Sequence, residues 1–233
     1  MPDVIDALIV NSILRKAVER KVVKFHLISL RKFGQGNYQK IDDKPFGGGS
    51  GMVMMAEPLI DAIDHTIGIF GDENNVQIIY PSPQGKVWNQ DTAFKASKEK
   101  KLIFICGHYK GIDERVIFKY DMCEYSIGDF VLTGGEIPTM LMIDSAVRLI
   151  PGTLNTLDSA MTDTFTHDLL DHPYYTQPRE IRGMKVPDIL LSGHHEKIKI
   201  WKQNQREKRT KEKRPDLWEL YKKKLNESEK EYE

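Results

Sequence analysis

The sequence has few cysteines and no long apolar run. Cys106 and Cys123 are the only cysteines in 233 residues, too few for a disulfide framework and without the paired spacing of a zinc site. No apolar stretch reaches the roughly 18 residues of a membrane span. Asp3 and Asp6 interrupt the first apolar positions, so no signal-peptide pattern is present. We therefore expect a cytoplasmic protein with no membrane partner and with two buried, inert thiols.

Several common catalytic motifs are also missing. The sequence contains neither G-x-x-x-x-G-K-[ST] nor G-x-G-x-x-G nor G-x-S-x-G, which argues against P-loop chemistry, the ordinary dinucleotide fold and a serine-hydrolase elbow. The histidines at 167, 172, 194 and 195 lack the spacing of zinc ligands. We predict no resident metal site from these residues.

The chain has no net charge, but its charge is unevenly distributed. Residues 197–233 contain 13 Lys and Arg against 8 Asp and Glu, a surplus of five that the preceding residues cancel. Residues 197–214 alone contain nine basic and two acidic side chains around Trp201. Two interpretations are open: a solvated helix face with ion pairs, or a surface that contacts nucleic-acid phosphates.

Apolar periodicity predicts an α/β protein. Residues 4–17 have helical spacing and VVKFHLISL is typical of a strand. VQIIY and KLIFICG are short apolar runs followed by turn-rich PSPQG and GHYKGIDERV, as in buried parallel strands. YSIGDFVLTGGE predicts a third strand and loop, followed by a helix that contains Pro138 and ends before Pro151-Gly152. The loops after these strands are expected to converge at a ligand site.

The composition predicts a second domain after residue 153. Ser, Thr, Asp and His dominate as far as about residue 172, which indicates a linker. The segments VPDILLSGHHEKIKIW and RPDLWELYKKKL then predict helices. We expect a ligand-binding domain over 1–153, a flexible linker over 154–170 and a helical domain over 171–233.

The loop YSIGDFVLTGGE is rich in glycine but acidic. Glycine clusters between a strand and a helix let backbone amides approach a ligand closely. This one contains Asp129 and Glu136 and no lysine or arginine, which is the wrong charge for a polyphosphate. The loop therefore predicts a ligand other than a phosphate.

Five ordered motifs give the chain a family resemblance. KPFGGGSGMVMMAEPL, YPSPQG, CGHYKGIDERV, YSIGDFVLTGGEIPTMLMIDSAVRLIPG and LLDHPYYTQPREIRGMKVPDILLSGHH resemble the bacterial tRNA (guanine-37-N1) methyltransferases of the TrmD type. The resemblance covers nearly the whole chain. It implies the SPOUT class: a parallel sheet with a deep trefoil knot, a helical C-terminal domain and a homodimer.

The resemblance also implies the ligands and a pocket. S-adenosylmethionine, a cationic sulfonium, would be the cofactor and suits an acidic loop, magnesium would be an auxiliary ion, and the anticodon stem-loop of tRNA would be the partner. By motif position the cofactor pocket would involve Tyr80, Ser82, Gly107, Ile127, Gly128, Asp129, Phe130, Val131, Leu132, Gly134 and Pro138. Backbone amides and carbonyls would recognise the adenine.

Two catalytic residues follow from the same resemblance. Asp163 would be the general base that removes the N1 proton of guanine, and Arg148 would stabilise the charge that develops on O6. Without the family, Asp163 could equally be a helix N-cap and Arg148 a cation at a helix C-terminus. Asp43 and Lys110 would lie where the family contacts tRNA.

Three positions depart from the family pattern. Lys110 replaces a glutamate, Ser50 replaces a proline, and the chain begins Met1-Pro2-Asp3 where the family has an apolar first strand. A start codon placed too far downstream or a shortened gene would give this beginning. Two rival functions stay open: a SPOUT methyltransferase for another RNA site, and an RNA-binding relative without catalysis.

Overall fold

The computed structural model describes residues 2–71, 76–154, 164–165 and 168–230. The chain divides into two compact units, Met1–Leu157 and Asp158–Glu233. Most of the linker predicted over 154–170 lies outside the described residues, so its boundaries stay a prediction. No helix in the described part of the chain is long and apolar enough to cross a membrane.

The first unit is a mixed α/β structure. Its helices are α1 (Pro2–Asn11), α2 (Ile13–Glu19), α3 (Ala56–Phe70), α4 (Gln90–Ala96), α5 (Glu114–Lys119) and α6 (Glu136–Val147), with a 3₁₀ turn at Leu30–Phe33. Its strands are β1 (Asp42–Asp43), β2 (Val53–Met54), β3 (Val76–Val87), β4 (Lys101–Phe104) and β5 (Cys123–Ser126). β1 and β2 form a small antiparallel pair.

The central sheet is parallel and has the order β4-β3-β5. Ile78 lies opposite Ile103 in β4, and Tyr80 lies opposite Glu124 in β5. β3 pairs with β5 on both sides of residues 82–85, because Pro81 and Lys86 both lie opposite Tyr125. The predicted parallel strands are confirmed, and the PSPQG turn is a bulge within one long strand.

Helices cover the sheet through apolar faces. In α3, Leu59, Ile63 and Thr66 are buried at helical spacing, and Leu59 and Ile63 pack in a core that includes Ile78 and Ile103. The helix ends at Gly71, whose φ of 70° is the left-handed conformation typical of a helix C-terminus.

The predicted N-terminal helix is two helices. Ser12 separates α1 from α2, and its Oγ accepts a hydrogen bond of 3.1 Å from the backbone N–H of Leu14. Serine is a favoured N-cap because it satisfies one of the free N–H groups at a helix start. Both helices pack against α6, through buried residues that include Leu14 and Ile143.

The strand predicted for VVKFHLISL is wrong. Residues 23–29 have no regular secondary structure, and backbone hydrogen bonds in the described part of the chain do not include residues 23–28. A cavity of about 700 Å³ is lined by both residues 23–31 and residues 101–106. β4 is an edge strand with one unpaired side, but the segment and β4 line this cavity without forming a ladder.

The second unit contains a β-hairpin and helices. The strands are β6 (Glu180–Ile181) and β7 (Met184–Lys185), and the helices are α7 (Asp188–Leu191), α8 (His195–Lys213) and α9 (Pro215–Lys230). Thr210 of α8 is fully buried and its Oγ1 accepts a hydrogen bond of 2.8 Å from the N–H of Leu170. Lys224 of α9 forms an ion pair of 2.5 Å with Asp168.

Candidate active site

Three loops meet at the carboxyl edge of the parallel sheet. They are residues 82–85 of the β3 bulge, residues 105–113 after β4 and residues 127–135 after β5. His108 forms a β-bridge with Gly134, and the N–H of Gly135 donates a hydrogen bond of 2.7 Å to the carbonyl oxygen of Gly107. The second and third loops are therefore joined through their backbones, as expected for loops beyond parallel strands.

Glycine is required where these loops touch. A Cβ on Gly135 would lie 2.7 Å from the N of Gly107, and a Cβ on Gly107 would lie 2.8 Å from the ring of Tyr80. A Cβ on Gly85 would lie 2.4 Å from the carbonyl carbon of Glu124. Distances under 3.0 Å exclude a side chain unless the backbone moves.

Tyr80 and Ser82 are both buried beside these glycines. Burial, with the nearby Glu124 carboxylate as a second cause, raises the pKa of Tyr80, so its hydroxyl keeps its proton at neutral pH. The Oγ of Ser82 accepts a hydrogen bond of 3.2 Å from the N–H of Gln84, which fixes the bulge. Both side chains are thus held in place rather than free to move.

The β5 loop is fixed at its start by a serine and contains backbone N–H groups without an acceptor in the described chain. Ser126 Oγ accepts from the N–H of Gly128 at 3.1 Å and donates to its carbonyl at 3.0 Å. Gly128 has a φ of 145°, a conformation that favours glycine. Within the described chain, the N–H groups of Ile127, Val131 and Leu132 make no hydrogen bond to the protein. These groups are available to a ligand.

The remaining predicted cofactor residues differ in exposure. Asp129, Phe130, Val131 and Leu132 are exposed, whereas Pro138 is buried in the first turn of α6. Val131 is 85 % exposed, so neither its side chain nor that of Asp129 is fixed by packing. The structure brings the predicted cofactor residues to one edge of the sheet, and their role in binding stays a prediction.

A pair of side chains that sequence reasoning missed lies between the loops. His108 Nε2 and Glu136 Oε1 are 2.7 Å apart, and Glu136 is only 5 % exposed. Burial raises the pKa of Glu136, but hydrogen bonds, including that from His108, outweigh it, so the pKa is lowered. The one available signal was a polar residue beside a glycine in each motif, His108 in CGHY and Glu136 in GGE.

Of the two predicted catalytic residues, Arg148 lies in the described part of the chain. Arg148 is half-buried at the C-terminus of α6, where its N–H bonds the carbonyl of Asp144 at 3.2 Å. This is the position of a cation favoured by the helix dipole. Asp163 lies outside the described residues. Its predicted role as a base and the alternative that it is an N-cap therefore both stay predictions.

The residues predicted to contact tRNA lie on exposed loops. Asp43 is exposed in β1, and a hydrogen bond from Lys40, supported by the N–H of Lys44, lowers its pKa. Lys110 is exposed, and a Cβ on Gly51 would lie 3.0 Å from its Cγ. Asp113, which could have paired with Lys110, instead binds Arg115 at 2.7 Å.

No metal centre is formed by the residues that the structure describes. Nowhere among them do three or more His, Cys, Asp or Glu side chains cluster as metal ligands do. Burial raises the pKa of Cys106 to about 11, so this thiol is protonated and a poor metal ligand at neutral pH.

Comparison with known proteins identifies the family. The family model described as tRNA (Guanine-1)-methyltransferase TrmD matches residues 1–220. The chain belongs to this family. Its relatives include three proteins named tRNA (guanine-N(1)-)-methyltransferase. That of Clostridioides difficile is 45 % identical over 93 % of this chain and 94 % of its own length. Those of Anoxybacillus flavithermus and Listeria monocytogenes are 46 % and 45 % identical over 94 % of this chain and 89 % of their own lengths.

Proposed function

We propose that the protein transfers a methyl group from S-adenosylmethionine to N1 of guanine 37 in tRNA, the nucleotide 3′ to the anticodon. The observation that carries the proposal is the match to the TrmD family over residues 1–220, with curated relatives about 45 % identical along nearly the whole chain. The convergence of three glycine-containing loops at the carboxyl edge of the sheet supports it.

The described residues fit the cofactor. The ring nitrogens of adenine are hydrogen-bond acceptors, and the free N–H groups of Ile127, Val131 and Leu132 can donate to them. The exposed acidic side chain of Asp129 adds negative charge for a cationic sulfonium. S-adenosylmethionine supplies the methyl group when bound; the protein holds it through Tyr80, Ser82, Gly107, Ile127, Gly128, Asp129, Phe130, Val131, Leu132, Gly134 and Pro138.

The proposed chemistry needs one base and one cation. The carboxylate of Asp163 accepts the N1 proton of guanine, and the N1 electron pair forms the new bond to the methyl carbon as the bond from that carbon to sulfur breaks. Negative charge that develops on O6 is stabilised by the guanidinium of Arg148. A base of this kind typically contributes about 10²- to 10⁴-fold in rate.

The proposal includes a homodimer with a trefoil knot. On α6, Ile137 and Leu141 are about half exposed and one helical turn apart, and Phe130 and Val131 are exposed on the preceding loop. Exposed apolar side chains such as these are suited to contact with a second copy of the chain. We propose that residues 1–153 form the knotted domain, 154–170 the linker and 171–233 the tRNA-binding domain.

Helix α8 supplies a surface for the anticodon stem-loop. Lys197, Lys208 and Lys211 are exposed and recur after 11 and 14 residues, close to three and four full turns. Within the described chain they form no ion pair. Three unpaired ammonium groups on one helix face are suited to phosphate contacts, and Asp43 and Lys110 would contact the RNA nearer the target base.

Magnesium and location stay predictions of the proposal. The requirement for an auxiliary magnesium ion is tested by comparing methyl transfer in EDTA with methyl transfer after magnesium is restored.

A tRNA-modifying enzyme is expected to work in the cytoplasm, where its substrate and cofactor occur.

Mapping the methylated nucleotide distinguishes the proposed function from the two alternative functions. The protein is incubated with S-adenosylmethionine and unmodified tRNA, and the product is copied by reverse transcriptase. A methyl group on N1 blocks the Watson–Crick edge, so we expect a stop at position 37. A stop elsewhere would indicate a SPOUT enzyme for another site, and tight tRNA binding without any stop would indicate an RNA-binding relative.

A further inference from the structure

Glu136 is the one charged side chain that is buried in the part of the chain that the structure describes. It is the first residue of α6 and directly follows Gly134 and Gly135. Its Oε1 atom is 2.7 Å from Nε2 of His108, whose side chain is 28 % exposed. A buried carboxylate is costly unless it is hydrogen-bonded, and His108 supplies one such bond.

The pair joins the two loops by their side chains where the backbones already touch. His108 belongs to the loop after β4 and bridges Gly134, while its N–H lies 3.0 Å from Sδ of Met54. A Cβ on Gly134 would lie 2.7 Å from both Oε2 of Glu136 and Cε1 of His108. The two side chains therefore occupy the space that a side chain at position 134 would need.

Each residue of the pair is next to a loop that is proposed to bind the cofactor. Glu136 anchors the C-terminal end of the loop 127–135, whose free N–H groups are proposed to bind adenine. His108 follows Gly107, which is proposed to line the same pocket and contacts Tyr80 closely. A shift of about 1 Å in a positioning element can cost binding or rate strongly.

We propose that His108 and Glu136 are positioning residues that set the distance between the loops at 105–113 and 127–135, and so determine affinity for S-adenosylmethionine. The inference rests on the proposed function, since it assigns the pair to that cofactor site. Neither residue is proposed to touch the reacting atoms. A buried carboxylate with a hydrogen-bonded partner is weak support for stability in itself, so the pair is expected to affect cofactor affinity more than unfolding.

Cofactor affinity in a mutant cycle tests the pair. The dissociation constant of S-adenosylmethionine is measured by calorimetry for the wild type, His108→Ala, Glu136→Ala and the double variant. Each single change is expected to weaken binding about 10- to 100-fold, as for loss of a charge-assisted hydrogen bond. The double variant is expected to be no weaker than the worse single variant, because both lose the same interaction.

Conservative variants separate positioning from folding. Gln can place its Nε2 near that of histidine, so His108→Gln is expected to restore affinity to within about threefold of wild type. Turnover at saturating cofactor is expected to stay near wild type for His108→Gln and His108→Ala while KM for the cofactor rises in His108→Ala. If Glu136→Ala does not fold, Glu136→Gln replaces it, since it keeps an acceptor oxygen and loses only the charge.

The exposed carboxylate Glu19 provides the control. Glu19 pairs with Arg15 at 3.4 Å on α2, and its side chain is 61 % exposed; Glu19→Gln is expected to leave cofactor affinity unchanged. Unchanged affinity in His108→Ala would overturn the inference, as would additive effects in the double variant. Failure of the wild type to bind S-adenosylmethionine would instead overturn the proposed function.

Discussion

The backbone N–H of Gly135 donates a 2.7 Å hydrogen bond to the carbonyl oxygen of Gly107. This bond joins the loop after β5 to the loop after β4, and it requires the two main chains to approach too closely for a side chain. The glycines of TGGE and CGHY are therefore required for the contact between the two loops, as well as for the close approach of any ligand. Close approach of two loops explains a glycine cluster that the sequence alone attributed to ligand binding.

Gly135→Ala is expected to destabilise the first unit by about 1–3 kcal/mol, the usual cost of overpacking. The added Cβ would lie 2.7 Å from the N of Gly107 and 2.8 Å from Cα of Cys106. The φ of Gly135 is −79°, so the expected loss is steric and not due to backbone strain. Urea denaturation measures it.

Gly68→Ala is the matched control. Gly68 lies in α3, and a Cβ there would have no neighbour within 4 Å. Alanine in a helix is favoured over glycine by up to about 1 kcal/mol, so this variant should be as stable as wild type or slightly more stable. Equal stability of Gly135→Ala and wild type would show that the loops separate easily.

Asp163→Asn is expected to lower single-turnover methyl transfer by about 10²- to 10⁴-fold. The amide cannot accept the N1 proton of guanine, whereas binding of S-adenosylmethionine should be nearly unchanged because the base acts on guanine. Cofactor affinity measured on the same preparation is the internal control. Wild-type turnover in this variant would show that another group accepts the proton.

Lys110→Glu is expected to tighten cofactor binding or raise turnover, because a cation next to a sulfonium is unfavourable. It should also weaken tRNA binding and make its salt dependence shallower. Lys110 is exposed with its stem over Gly51, and Asp113 is engaged by Arg115, so no internal ion pair with Asp113 is lost.

Lys16→Glu makes the same change of charge on the exposed surface of α2. It should leave both affinities near wild type. If Lys110→Glu behaves like this control in cofactor affinity, turnover and salt dependence, Lys110 points into solvent and the departure from the family is neutral.

Lys208→Ala combined with Lys211→Ala is expected to reduce tRNA affinity and to lower the salt slope by about two, one unit for each lost phosphate contact. Lys199→Ala with Lys213→Ala is the control, since these lysines are exposed on the opposite side of α8. Filter binding at several salt concentrations gives both slopes. Equal losses in the two pairs would mean that α8 has no defined RNA-binding face.

The parallel sheet was predictable because its signals are local. VQIIY and KLIFICG are apolar runs bounded by turns, and they form paired parallel strands.

The N-terminal segment was predicted as a single helix because its apolar spacing continues through Ser12. The structure has two helices, because the hydroxyl of Ser12 caps the second one. Capping competes with periodicity at a single residue, which a pattern over fourteen residues does not detect.

The segment VVKFHLISL was predicted wrongly. Its composition favours a strand, but no strand in the described chain pairs with it. β-structure depends on pairing with distant residues, so propensity alone cannot decide it. The pair of His108 and Glu136 was missed for the same reason: 28 residues separate them, and only the bridge between two loops brings them together.

The central claim is tested most directly by methyl transfer from labelled S-adenosylmethionine to tRNA transcripts that differ only in the nucleotide at position 37. A guanine at this position should be labelled to near one methyl group per tRNA, and an adenine transcript should stay unlabelled because adenine has a 6-amino group where guanine has the O6 that Arg148 is proposed to stabilise. Equal labelling of both transcripts, or labelling of neither, would contradict the account.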